Sequence, residues 1–282
     1  MKNTAFCLFI IFIINGCLEV ETIDYKLPFE QKIIALGFMD SVNGVRVYVG
    51  KNIPVLSKDS ISMIKDVKVE LWSGNSLLEN LIYLDKNVYT STKNLGIKGS
   101  ESYYFKATTP LSTDTLFSEK VVISPIIPIE NIRFQYKNPE KTTVDLYIEI
   151  TDPLGFNAYS FNIQRYKKDT LFGKMILENP YFIPSNSFLY SDREYEGKKH
   201  IFILENISVE EYQDNRFIEI DKIRVTLFNL SKPTYDAFLS FRTLEPDVGE
   251  PFFEPTIISN QIKNGLGIFG TYSSFSFDVM IK

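Results

Sequence analysis

The stretch "VDLYIEI" sets Val144, Leu146, Ile148 and Ile150 against Asp145, Tyr147 and Glu149. Successive side chains of an extended strand point to opposite sides, so this alternation gathers every apolar residue on one face. The pattern recurs throughout the chain and constrains its fold more than any other feature. "VRVYV" aligns Val45, Val47 and Val49, and "YYFKA" aligns Tyr103, Phe105 and Ala107. "VKVELW" sets Val67, Val69 and Leu71 against Lys68, Glu70 and Trp72, and "YSFNI" and "IRVTLF" repeat the theme. Turn signals such as "VNG", "SGN", "TDPLG" and "YEGKK" separate these runs, as expected of half-buried antiparallel strands. The chain is therefore expected to be all-β, and no repeat at a fixed period underlies it.

The N-terminus follows a different rule. "MKNTAFCLFIIFIINGC" has an early Lys2, an apolar run from Ala5 to Ile14, then Asn15, Gly16 and Cys17. The run is shorter than the roughly 20 apolar residues a spanning helix needs, and it suits the hydrophobic region of a secretory signal. "INGC" resembles the lipobox of bacterial lipoproteins, with Cys17 as the acylated first residue of the mature protein. Of the two cysteines, Cys7 lies in the segment to be removed, so no internal disulfide is expected and lipidation accounts for Cys17. Several acyl chains on one residue anchor stably where one does not. The protein is thus expected to be held at a membrane by its N-terminal lipid. Glu19, Glu21 and Asp24 follow closely; this acidic start resembles the export signals of surface lipoproteins in Bacteroidota-type cells, and equally suits a solvated tether.

One later stretch breaks the period-two rule. "SKPTYDAFLSFRTLE" offers Ser231 as an N-cap and Pro233 in a first turn, with Tyr235, Phe238, Leu239, Phe241 and Arg242 near helical spacing. It predicts one short helix whose aromatic stripe faces the core. In "VVISPIIPIENI", Pro125 and Pro128 interrupt an apolar run and cannot both sit in a central strand, which marks a boundary. Apolar residues make up 44% of the chain, with 23 Phe and 16 Tyr, enough to bury a proper core. The expected order is a lipoprotein signal peptide (1–16), a lipidated tether (17–30), an immunoglobulin-like β-sandwich (31–124), a linker (125–132) and a larger β domain carrying the helix (133–282). These are two β-sandwich-like domains in series.

Motifs that would announce chemistry are weak. "GLGIFG" is a literal Gly-x-Gly-x-x-Gly, but a dinucleotide site needs a helix after the glycines and an acid roughly 20 residues on. Here Gly270 is followed only by "TYSSFSFDVMIK", which alternates like a strand. The glycines are expected to serve a turn or a close backbone approach. A net charge of −5 provides no basic field for nucleic acid. The single histidine, His200, rules out a multi-histidine metal site and is expected to open a strand. Asp152 in "TDPLG" and Asp192, Glu194 and Glu196 in "SDREYEG" supply carboxylates that a glycosidase-type acid/base pair would need, although both stretches are also ordinary turn chemistry. No cofactor is expected.

Taken together, the chain resembles the outer-membrane lipoproteins of Bacteroidota that carry the domain of unknown function 4249. The most specific likeness is "PFFEPTIISNQIKNGLGIFGTYSS", in which Gln261 interrupts the usual Asn-Ile pair. "ALGFMDS", "ESYYFKATTP", "TDPLGFNAYSFNIQRY" and "SDREYEG" support it. The resemblance implies two β-rich domains on a lipid anchor, often encoded beside TonB-dependent receptors; it implies no particular catalytic residue, since no activity is established for that family. The expected role is a non-enzymatic accessory or ligand-binding partner of such a receptor at the outer membrane, contacting it through end loops and exposed tyrosines such as Tyr104. The rival expectation is a surface hydrolase acting on glycans through Asp152, Asp192 and Glu194, and a third is an adhesive module of the envelope.

Overall fold

The computed structural model describes residues 29–40, 42, 44–53, 64, 66–92, 98–167, 170–172, 188–213, 216–244 and 260–281. The expected signal peptide, Cys17 and residues 251–259 lie outside these residues. The first half carries β1 (Ile33–Asp40), β2 (Gly44–Lys51), β3 (Lys68–Ser73), β4 (Ser76–Asn80) and β5 (Ile82–Asp85). It continues with β6 (Val88–Thr90), β7 (Ser102–Thr108), β8 (Leu116–Ser118) and β9 (Val121–Val122). The second half carries β10 (Asn131–Tyr136), β11 (Thr143–Thr151), β12 (Ala158–Lys167), β13 (Thr170–Phe172) and β14 (Leu189–Ser191). After these come β15 (Lys199–Ser208), β16 (Glu210–Gln213), β17 (Arg216–Glu219) and β18 (Lys222–Leu230). Helix α1 (Lys232–Leu244) then precedes β19 (Ile262–Lys263) and β20 (Leu266–Met280). The chain is all-β with a single short helix among the described residues.

The period-two residues are where burial puts them. Val45, Val47 and Val49, Tyr103, Phe105 and Ala107, and Val144, Leu146, Ile148 and Ile150 are all buried. A nine-stranded sheet runs β13-β12-β18-β20-β1-β2-β6-β5, with β14 added beside β12. Two smaller sheets pack on one of its faces. The six-stranded sheet β19-β8-β7-β3-β4, with β9 beside β7, encloses a first core that includes Val47, Leu71, Phe105 and Phe269. The three-stranded sheet β10-β11-β15 encloses a second, including Ile148, Phe161, Phe202 and Val225.

Of the expected linker at 125–132, Ile127, Ile129 and Ile132 are buried in the second core, and the large sheet continues across it. β20 pairs antiparallel with β18 over Tyr272–Met280 and parallel with β1 over Leu266–Tyr272. At roughly 3.4 Å per residue a strand of this length spans on the order of 50 Å, enough to floor both cores. Phe269 serves the first, and Phe275, Phe277 and Val279 serve the second. Between them, Thr271 Oγ1 donates to the Val122 carbonyl (2.6 Å), and Ser273 Oγ donates to that of Pro125 (2.6 Å). The proline-bearing segment is thereby pinned across the strand that joins the two halves. Residues Gln31–Lys282 form one compact unit.

The opposite face of the sheet is covered by α1. Ala237 and Phe238 bury against Phe38, Phe228, Leu230, Ile268 and Tyr272. The helix begins where the cap residue was expected, but Ser231 Oγ accepts the Thr271 N–H (3.1 Å) and so ties the helix start to β20. Thr234 Oγ1 donates to the Thr271 carbonyl (2.9 Å). Of the expected aromatic stripe, Phe238 is buried and Tyr235 packs against the same cluster, while Leu239 beside them is exposed; the side chains of Phe241 and Arg242 lie outside the described residues. The glycines of "GLGIFG" are explained by the same packing. A side chain at Gly270 would run into Thr234, and one at Gly267, whose φ is +132°, would strike the Ala35 carbonyl of β1. They let a helix and a parallel strand close on β20. Among the described residues, no helix is long and apolar enough to cross a membrane.

Candidate functional site

Of the four carboxylates singled out in the sequence, Asp152, Asp192 and Glu196 come together as parts of a clasp between two turns. The loop 152–157 leads from β11 to β12, and the turn 192–198 leads from β14 to β15. Asp152 is 1% exposed. One of its oxygens accepts the Tyr159 hydroxyl, and the other accepts the Gly197 N–H (2.9 Å). Asp192, 5% exposed, accepts the Asn157 N–H (2.7 Å). Glu196 accepts the Gly155 N–H at 3.0 Å. Each turn thus supplies carboxylates that satisfy main-chain donors of the other, the arrangement that buried polar backbone requires. Glu194 is exposed on the turn itself.

Asn157 completes the brace. Its Nδ2 donates to the carbonyls of Pro153 (3.1 Å) and Gly155 (2.9 Å), and its Oδ1 accepts from Asn229 Nδ2 (3.1 Å). Asn229 also donates to the Pro125 carbonyl (3.0 Å), so the loop is linked to the segment between the cores. Aromatic rings back the clasp. Tyr159 and Tyr195 lie 6.4 Å apart, and Tyr195 stacks on His200 with centroids 3.8 Å apart. Burial pushes both tyrosine hydroxyls well above their usual range, with Asp152 adding to the effect, so both keep their protons and Tyr159 stays a donor. Burial also lowers His200, against the pull of Asp152 and Glu194, and keeps the imidazole neutral near pH 7.

What this frame holds out is apolar. Leu154 is 84% exposed and Phe156 48% exposed. Phe156 meets Tyr235 of α1 edge-on at 6.0 Å, with Lys232 Nζ 5.9 Å from its ring. Leu239, one helical turn beyond Tyr235, is 43% exposed. Gly197 lies in the left-handed region (φ +71°), and a side chain there would meet Leu154 Cδ2 at 2.8 Å. The sequence reading missed this tip and the tyrosines behind it. The signal was present in "DPLGF", where two large apolar residues flank the glycine of a turn.

Other sequence candidates are placed differently. Tyr104, expected to be exposed, is half-buried on the outer face of β7. It lies 6.3 Å from Trp72 across the strand pair, and Lys106 Nζ covers the indole at 3.8 Å. Trp72 Nε1 in turn donates to Glu70 (3.1 Å), whose carboxyl is held below its usual range chiefly by the hydrogen bond from Lys68. This face is satisfied within itself. Among the described residues, no group of three or more His, Cys, Asp or Glu is placed to hold a metal ion. Cys17, Glu19, Glu21 and Asp24 lie outside the described residues.

A family model described as a domain of unknown function (DUF4249) matches residues 18–278. No curated protein matches the chain.

Proposed function

The chain belongs to the DUF4249 family, whose function is unknown, and from that premise we propose that it is a lipid-anchored outer-membrane lipoprotein acting as a non-enzymatic accessory or ligand-binding partner of a TonB-dependent receptor. The anchor rests on "INGC", with acylation at Cys17. The binding role rests on one observation, the braced tip carrying Leu154 and Phe156. A leucine left this exposed forgoes most of the about 1.5–3 kcal/mol that full burial gives. Here it is held out by a loop fixed through Asp152, Asp192, Glu196 and Asn157. Apolar anchors fixed before binding lose little entropy on association.

The glycan hydrolase draws less support. An acid/base pair must reach the scissile bond, and Asp152 and Asp192 are buried and engaged by main-chain donors.

Two measurements test the proposal. Cys17→Ser should abolish incorporation of labelled fatty acid and move the protein out of the membrane fraction; retention in the membrane would refute the anchor. The tagged wild type, purified from native outer membranes in mild detergent, should bring down a TonB-dependent receptor in stoichiometric amount. Recovery of the lipoprotein alone would refute the partnership.

A further inference from the structure

The chain has one histidine, and the fold sets it against the clasp. His200 lies at the start of β15, paired with Ile150 of β11. Its ring lies nearly flat on Tyr195, at 12° between planes, and meets Phe202 edge-on at 4.6 Å. Tyr195 belongs to the turn whose Gly197 N–H is held by Asp152, and it flanks Tyr159, the phenol that donates to the same carboxylate. The imidazole therefore backs the turn where it is latched to the loop.

The groups around it come from every neighbouring element. The loop after β11 supplies Asp152 and the turn supplies Glu194, the carboxylates that act on the imidazole, and Tyr195, which in turn feels Asp152 and Asp192. On its own strand, Lys199 is drawn away to Glu130 (2.9 Å) and Glu149 (3.0 Å). Asp152 and Glu194 favour a proton on His200, but burial opposes it more strongly. An imidazolium in the stack would lose hydration that the neutral ring does not need.

We infer that the stack of His200 on Tyr195 is an acid-sensitive catch. With the imidazole neutral, the turn 192–198 stays latched on the loop 152–157. Protonation draws the ring out of the stack toward water, and the hydrogen bonds at Gly197 and Asn157 open with it. Leu154 and Phe156 then lose their fixed presentation. The catch depends on neither the lipid anchor nor the identity of a partner.

The sign follows from the lowered value of the closed state. The open state, with the ordinary value of 6.5, takes up the proton first as pH falls. The closed clasp keeps its full stability above about pH 6.5 and loses it as pH drops from there through the lowered value. Across that window one proton raises the opening equilibrium by at most about tenfold per pH unit.

The experiment is amide hydrogen exchange of the full-length protein from pH 8 to 5, corrected for intrinsic exchange, beside an NMR titration of the lone imidazole. The expected imidazole midpoint lies below 6.5. Protection at Asn157 and Gly197 should fall in that window, by at most about tenfold per pH unit, while that of Phe269 stays constant. His200→Phe keeps an aromatic ring for the stack but cannot take the proton, and its protection should be flat. Protection that ignores pH in the wild type would overturn the inference. So would the same decline in His200→Phe, which would assign it to the carboxylates. A decline in protection that falls outside the interval between pH 6.5 and the imidazole midpoint overturns it without any variant.

Discussion

Asp152 shows how one side chain can be mistaken for chemistry and serve structure instead. Both of its oxygens accept, one from the Tyr159 hydroxyl and one from Gly197 N–H, and the residue is buried. Replacing it with alanine would leave two donors without partners, and an unsatisfied buried donor costs about 1–3 kcal/mol. Asp152→Ala should therefore lower the urea midpoint by that order of stability with an unchanged denaturant slope. It should also raise the exchange rate of the Gly197 amide; an unaffected midpoint would mean that the latch contributes nothing. Sequence placed Asp152 and Asp192 correctly in turns but not facing each other's backbone. Asp152 and Asp192 lie forty positions apart in the chain, and neither motif names its partner. His200 was expected at the head of a strand and stands there, yet nothing in "KKHIFIL" foretells the Tyr195 ring on its face.

At the scale of elements, alternation read within a segment was reliable because it reflects one strand meeting one core. "VDLYIEI" and "VRVYV" became β11 and β2 with their apolar faces buried. Which strands pair was not legible. β1 lies parallel to β20, a partnership between the two ends of the described chain that no local pattern encodes. Its trace in the sequence is Gly267, expected to allow a close backbone approach and found opposite Ala35 with φ at +132°. Gly267→Ala would force a Cβ into the Ala35 carbonyl and strain a backbone that L-residues rarely adopt. The cost should be at least about 1–3 kcal/mol. Hydrogen exchange should locate the loss first at the β1–β20 pairing, in amides from Ile34 to Asp40. A variant as stable as the wild type would show that β1 can sit further from β20 than its register requires.

For the whole molecule, the decisive feature is that two cores rest on one sheet. Chains with two cores commonly unfold as two domains, and the prolines at 125 and 128 invited that expectation. Here β20 supplies Phe269 to the first core and Val279 to the second within a single strand. Unfolding either half therefore strips β20 of a face that the other half needs. The only tryptophan, Trp72, lies on β3 over the first core, so its fluorescence reports that half alone. Ile148, fully buried in the second core, provides a lesion far from it. Ile148→Ala leaves a cavity worth about 2–5 kcal/mol. If the shared strand couples the halves, Trp72 fluorescence should report the full loss, with one transition whose midpoint matches that seen by circular dichroism. If Trp72 keeps its wild-type midpoint while circular dichroism shows an earlier step, the halves unfold independently despite their common sheet.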